Sequence, residues 1–152
     1  MLIMKKYNFM STRALINIVE RQEGRSFSEL LDPSAIHTQI YKHWDGYPEG
    51  LGVTLANYLD GYQIVNGISH DTQGPIANGI GCLAAQLVSY IKDGPGDISL
   101  RIPGDRDWED YAYYIWIKDH EEIMISIFNY EDECIFVGNS ESLMKKYEYN
   151  DR

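Results

Sequence analysis

Eight consecutive residues, at positions 43–50, concentrate the side chains of this chain that could do chemistry. They are His43, Trp44, Asp45, Gly46, Tyr47, Pro48, Glu49 and Gly50. A buried strand rarely contains so many polar groups, because each one must find a partner or costs roughly 1–3 kcal/mol. The two glycines and the proline favour a rigid turn. We therefore expect an ordered turn at the mouth of a site, in which Gly46 or Gly50 adopts a conformation that a side chain would forbid.

His43 and Asp45 are the candidate catalytic residues if the protein is an enzyme. Histidine changes its charge near neutral pH, which suits proton transfer, and a carboxylate two positions further on could orient the ring. Each residue also has a structural interpretation. His43 can be a hydrogen-bonded surface residue, and Asp45 can form a turn with Gly46 and Tyr47.

Seven residues are candidates for ligand binding. They are Arg13, Trp44, Tyr47, Glu49, Asn66, Asn78 and Arg106. Arginine presents a planar fork of donors that matches a phosphate or a carboxylate. Aromatic rings stack on planar ligands, and asparagine amides can contact a base or a ribose. These residue types together point to a small anionic, nucleotide-like ligand.

The same seven residues also fit ordinary structural roles. The two arginines can be surface charges, and the two aromatic residues can belong to the core. Glu49 can complement a helix dipole. Asn66 and Asn78 each precede a glycine, a pair that marks a left-handed turn. Trp108 has no assignment from the sequence.

Apolar patterns predict the elements that must position these residues. Predicted strands lie at 14–19, 36–42, 97–103, 111–118, 121–130 and 133–137. Pro48 and Glu49 are typical of a helix start, and apolar residues at i, i+3 and i+4 spacing predict a second helix over 76–91. Asn139 or Ser140 can cap a short final helix.

The predicted fold class is α+β, in a single domain at 10–152 with an N-terminal extension at 1–9. We expect a mainly antiparallel sheet of about six strands, with two main helices on one face and a short C-terminal helix. The first two strands should form an antiparallel pair, and the last four should form a meander. Asp119 and His120 should lie at a hairpin tip.

The charge of the chain excludes one class of partner. Its 152 residues have a formal net charge of -10 and a pI near 4.7, whereas a direct nucleic-acid binder needs a basic surface. From Asp93 onward there are fifteen acidic against six basic residues. Such a surface either repels nucleic acid or imitates it.

Several cofactor and targeting signals are missing from the sequence. There is no phosphate loop, GxSxG elbow or HExxH motif, and Cys82 and Cys134 have no second ligand at metal spacing. We therefore expect free thiols, no metal and no cofactor. No apolar run is long enough for a membrane span or a secretion signal, so a cytoplasmic protein is expected.

Four segments resemble a family of small hypothetical proteins of bacteria and their phages. The segments are 11–15 (Ser-Thr-Arg-Ala-Leu), the turn at 43–50, 64–68 (Ile-Val-Asn-Gly-Ile) and 77–87, which begins Ala-Asn-Gly-Ile-Gly. The resemblance covers roughly residues 10–118. It implies a phage or mobile-element setting, and hence the host cytoplasm, but it carries over no catalytic residue.

Three functional hypotheses follow from these observations. The first is a protein that binds, and in a phage setting sequesters, a small nucleotide-like ligand. The second is a hydrolase or lyase acting on such a ligand through His43 and Asp45. The third is an acidic inhibitor that imitates nucleic acid and takes a host protein as its partner.

Overall fold

The computed structural model describes residues 12–20, 31–69, 72–106 and 108–148. The eight strands are β1 (Ala14–Val19), β2 (Ile36–Lys42), β3 (Gln63–Val65), β4 (Ile76–Asn78), β5 (Ile98–Arg101), β6 (Tyr111–Lys118), β7 (Glu122–Asn129) and β8 (Cys134–Asn139). The three α-helices are α1 (Val53–Leu59), α2 (Gly79–Ile91) and α3 (Ser140–Tyr147). The predicted α+β class is confirmed. The predicted extension at 1–9 lies outside the described residues.

Six strands form the main sheet in the order β5-β2-β1-β6-β7-β8, and β3 pairs with β4 in a small second sheet. Adjacent strands of the main sheet are antiparallel, except that β1 and β6 are parallel. The predicted antiparallel pair of the first two strands is confirmed. The predicted four-strand meander is wrong for β5, which pairs with β2, because β1 is buried over its whole length and takes β6 as its second neighbour.

One face of the main sheet, here called the helix-covered face, contacts all three helices. The side chains there are almost entirely aliphatic, as expected for a face that must bury helix stripes. From the strands it contains Ala14, Ile16, Ile18, Ile40, Tyr113, Ile115, Ile123, Ile125 and Ile127. From the helices it receives Leu55, Ala56, Leu59, Leu83, Ala84, Leu87, Ile91, Leu143 and Tyr147. This confirms the prediction that the helices share one face.

The opposite face, here called the loop-covered face, has a line of mostly polar side chains across its middle, here called the polar row. These side chains are in register across five strands and are Arg101, Gln39, Asn17, Tyr114 and Ser126. Gln39 Nε2 donates to the Asp105 carbonyl, and Gln39 Oε1 accepts from Gly104 N at 3.0 Å. The residues between β5 and β6, here called the crossing loop (102–106 and 108–110), are therefore tied to this face.

The predicted helix start at Pro48 is confirmed, although the first turn, Pro48–Gly52, is π-helical and α1 follows it. One local boundary differs from the prediction. The helix expected over 76–91 begins only at Gly79, because the preceding three residues form β4. Asn139 caps α3 by accepting from Ser142 N at 2.9 Å, which confirms the predicted cap.

Candidate functional site

The turn at 43–47 lies at one end of the main sheet, here called the turn end, where β2 ends and β1 and β6 begin. Three main-chain groups hold it. His43 N donates to the Asp97 carbonyl at 3.0 Å, and Gly46 N donates to the Thr12 carbonyl at 3.0 Å. The buried Tyr113 hydroxyl donates to the Gly46 carbonyl at 2.7 Å. The turn is therefore fixed to the sheet from both sides.

The left-handed residue of the turn is Asp45, with φ of 58°, and neither Gly46 nor Gly50 has a positive φ. That part of the prediction is wrong, because the glycines are needed for space instead. A Cβ at Gly46 would lie 2.7 Å from Ala14 Cβ. A Cβ at Gly50 would lie 3.0 Å from the Tyr47 ring, so this ring packs on the backbone of Gly50.

His43 faces β5 rather than Asp45. Its Nε2 lies 3.2 Å from Ser99 Oγ, and its ring meets the Tyr41 ring edge-on, with the centroids 4.6 Å apart. Asp45 is exposed, and no hydrogen bond joins it to His43 among the described residues. The arrangement is therefore a histidine–serine pair. Sequence reasoning did not identify Ser99. This residue lies in β5 and pairs with Tyr41 of β2.

Arg13 lies beside His43, one step beyond the last register pair of β1 and β2. Its main chain is held by Asp110, whose Oδ2 accepts from Arg13 N at 2.9 Å and whose N donates to the Arg13 carbonyl at 2.8 Å. The Arg13 Nε is buried and has no hydrogen-bond partner among the residues that the structure describes. A buried donor of a charged group without an acceptor is uncommon in folded proteins.

Two tryptophans lie beside the strand ends that flank Arg13. Trp44 follows β2 and is 40% exposed, and Trp108 precedes β6 and is 84% exposed. Trp108 has φ of 54°, a conformation that bulky residues rarely adopt. The strand between them is β1, so the two indoles belong to segments on either side of Arg13.

Glu49 is exposed in the first turn after Pro48 and acts on a group of tyrosines on the helix-covered face. Burial and, to a smaller extent, the Glu49 carboxylate raise the pKa of Tyr147 to about 12. Burial and then Glu49 also raise the pKa of Tyr111. These phenols therefore stay protonated at neutral pH.

Arg106 is engaged by two carboxylates on the loop-covered face. Its Nε donates to Glu109, and its Nη2 donates to Asp132 Oδ1 at 3.0 Å. The contact with Glu109 lies within the crossing loop, and the contact with Asp132 ties this loop to the turn between β7 and β8. The guanidinium already has anionic partners, so Arg106 is a weaker candidate for anion binding than Arg13.

Asn66 and Asn78 lie at the other end of the main sheet, so the structure does not bring them to Arg13. Asn78 pairs with Val65 in the small sheet, and its Oδ1 accepts from Gly67 N at 2.7 Å. The following helix α2 contacts His37 at the start of β2, and the six residues from there to His43 span roughly 20 Å.

A cleft of about 340 Å³ opens at that same far end. It is lined by Leu59, Asp60, Gly61, Tyr62, Gln63, Glu121, Glu122, Ile123, Asn139, Ser140 and Glu141. Its carboxylates repel an anion, so it does not suit the expected ligand.

Three further features of the described ranges bear on function. Within them, no group of three or more His, Cys, Asp or Glu side chains could hold a metal ion. None of the helices in those ranges is long and apolar enough to cross a membrane. Cys82 and Cys134 are free thiols, as expected, although Cys134 is exposed.

Comparison with known proteins found no family model, curated protein or solved structure that matches the chain.

Proposed function

We propose that the protein binds a small anionic, nucleotide-like ligand at the turn end of the sheet. In a phage setting this binding sequesters a host signal molecule. The observation that carries the proposal is the buried Arg13 Nε without an acceptor. The binding residues are Arg13, with Trp44 and Trp108 beside it.

Arg13 supports an anionic ligand on energetic grounds. A buried charged donor without an acceptor retains its desolvation cost, which an incoming phosphate oxygen relieves. The main chain of Arg13 is already fixed by Asp110 on both sides. Little backbone entropy is therefore lost on binding, as expected of a preorganised site.

The two exposed indoles support a planar ligand. Stacking of a base on an aromatic side chain contributes roughly 1–3 kcal/mol. Trp44 and Trp108 belong to the segments flanking β1, and they expose more surface than structural tryptophans usually do. A ligand with a phosphate on Arg13 and a base against an indole uses both features.

The test is calorimetry with a panel of nucleoside monophosphates and cyclic dinucleotides, using Arg13→Met and Arg106→Met as a matched pair. Arg13→Met should weaken binding roughly 10- to 100-fold, the effect of one hydrogen bond to a charged group. Arg106→Met should leave affinity unchanged, because Glu109 and Asp132 already occupy that guanidinium.

Two results would contradict the proposal. One is no heat of binding for the unmodified protein with any ligand at millimolar concentration. The other is equal affinity of the two methionine variants, which would place the anion elsewhere.

A second candidate function is hydrolysis of the same ligand, and the contact between His43 and Ser99 favours it. A histidine nitrogen 3.2 Å from a serine hydroxyl can accept its proton and activate it as a nucleophile. Analysis of the recovered ligand separates the two functions. An unchanged ligand supports binding alone, and a cleaved ligand whose cleavage is lost in Ser99→Ala supports the enzyme.

A further inference from the structure

The two edges of the main sheet are treated differently by the rest of the chain. At the β8 edge, Lys146 Nζ donates to the Ile135 carbonyl at 2.8 Å and lies over the Phe136 ring. Lys146 belongs to α3 and occupies a main-chain acceptor of β8, and a lysine at a sheet edge is a common protection against pairing with another chain. Among the described residues, no lysine bonds to the main chain of β5, whose sequence is Ile-Ser-Leu-Arg.

The outward-facing groups of β5 follow from its register. His43 N donates to the Asp97 carbonyl, and the pairs Tyr41–Ser99 and Gln39–Arg101 continue that ladder. Antiparallel pairs alternate between bonded and non-bonded, so the N–H and C=O groups of Ile98 and Leu100 point away from β2. Among the described residues, none bonds to these outward groups.

The side chains at this edge are apolar and bounded by acids. Leu100 is 64% exposed and Ile102 is 79% exposed. Asp93 and Asp105, both exposed, lie near the two ends of the strand, bonded through their main chains to Asp97 Oδ2 and to the Ile102 carbonyl.

Two basic side chains near this edge, those of Arg101 and Lys92, already contact other groups. Arg101 lies over the Tyr41 ring at 4.3 Å, and Lys92 Nζ donates to the Gly94 carbonyl at 3.4 Å. The edge therefore presents four main-chain hydrogen-bonding groups and two exposed apolar side chains, with an exposed aspartate near each end of the strand.

A second copy of the chain does not fit this edge. Self-pairing that uses all the outward groups of Ile98 and Leu100 would have its two-fold axis at Ser99. That register brings Asp93 of one copy toward Asp105 of the other at both ends. Each copy also has a net charge of -10, so like charges oppose the pairing.

We propose that the outer edge of β5 binds an extended segment of a partner protein with alternating apolar residues and a basic residue at each end. The segment adds a seventh strand to the sheet through Ile98 and Leu100. Its apolar residues contact Leu100 and Ile102, and its basic ends pair with Asp93 and Asp105. This inference does not depend on the proposed ligand site.

The probe is a fluorescein-labelled peptide of sequence Lys-Val-Thr-Val-Thr-Val-Lys, with a control peptide carrying Glu in place of both Lys. Anisotropy measures affinity, and amide chemical shifts locate the contact. We expect binding of the lysine peptide alone, with the largest shifts at Ile98 and Leu100. Leu100→Pro, which removes one outward N–H, should weaken binding about tenfold. Leu100→Ala, which keeps it, should weaken binding less.

The double variant Asp93→Asn and Asp105→Asn tests the charge requirement without touching the strand, so it stays informative if Leu100→Pro fails to fold. It should remove the preference for the lysine peptide. The proposal is overturned if the lysine peptide does not bind at millimolar concentration, or if its amide shifts map away from β5. It is also overturned if sedimentation shows a dimer that Leu100→Pro dissociates, because the occupant would then be a second copy.

Discussion

The two faces of the main sheet bury their residues by different means. On the helix-covered face, aliphatic side chains meet aliphatic helix stripes, and the one polar group of the fully buried strand side chains described there, the Tyr113 hydroxyl, is bonded to Gly46. On the loop-covered face, a polar row crosses the sheet, and the crossing loop satisfies part of it through Gln39. The backbone N–H and C=O groups of a helix are hydrogen-bonded within the helix, whereas those of a loop need partners from the sheet.

The difference also separates stability from candidate function. Among the described residues, the two buried side-chain polar atoms without a partner are Arg13 Nε and Asn17 Oδ1, which belong to residues of odd number on β1 and its entrance. Side chains alternate between the two faces along a strand, and the odd-numbered residues of β1, such as Leu15, point to the loop-covered face. Apolar packing therefore supports the fold on one face, and incomplete polar satisfaction is concentrated on the other.

The largest expected effect comes from the helix-covered face. Leu55 is fully buried on α1, and Leu55→Ala should lower the free energy of unfolding by roughly 2–5 kcal/mol through lost burial and a cavity. Leu100→Ala, at an exposed position, should change it by less than about 0.5 kcal/mol. Urea unfolding measures both. Equal losses would mean that α1 does not contribute to the core.

An intermediate loss of unfolding free energy should distinguish Gln39 from Asn17, its neighbour in the polar row. Gln39→Leu leaves Gly104 N and the Asp105 carbonyl without partners, so it should cost roughly 1–3 kcal/mol. Asn17→Leu removes an acceptor that is already unpaired, so it should be neutral or stabilising. Hydrogen exchange should show faster opening of the crossing loop in the Gln39 variant alone. A destabilised Asn17 variant would contradict the contrast between the faces.

The smallest effect concerns alkaline pH. The folded-state pKa of Tyr147, about 12, lies above its unfolded value of 10.0. The stability from this phenol is therefore complete below about pH 10 and is lost as pH rises toward 12. Glu49→Gln should lower the folded-state pKa of Tyr147. The free energy of unfolding of this variant should therefore fall less between pH 10 and pH 12 than that of the unmodified protein. Urea unfolding on both sides of pH 10 checks it, and identical slopes for the two proteins would contradict it.

Much of the fold could be predicted because its strands are locally unambiguous. The predicted bounds 14–19, 36–42 and 111–118 agree with the structure, since apolar and β-branched runs end at polar or turn residues. The start of α2 was misplaced because Ile76 and Ala77 fit the helical stripe as well as a strand. The partners of β5 and the parallel β1–β6 pair depend on contacts distant in sequence, which no local pattern encodes.

The candidate site was only partly predictable for the same reason. The turn at 43–47 could be recognised from its composition, because glycine and proline among polar groups mark a turn. The contact of His43 with Ser99 arises from the pairing of β2 with β5. Asn78 was assigned to the site because its residue type fitted, yet strand direction places it at the far end.

The parallel pair of β1 and β6 also constrains how the chain is made. β5, β2 and β1 come from residues 14–101, and β6, β7 and β8 come from 111–139, so among the strand pairs of the main sheet this pair joins two contiguous halves of the chain. During synthesis the first half leaves the ribosome with one side of β1 unpaired. That edge closes only after the chain has been made as far as Ile115, the last residue of β6 that pairs with β1. Slow translation through the crossing loop would prolong this exposure, and chaperone binding should be greatest there.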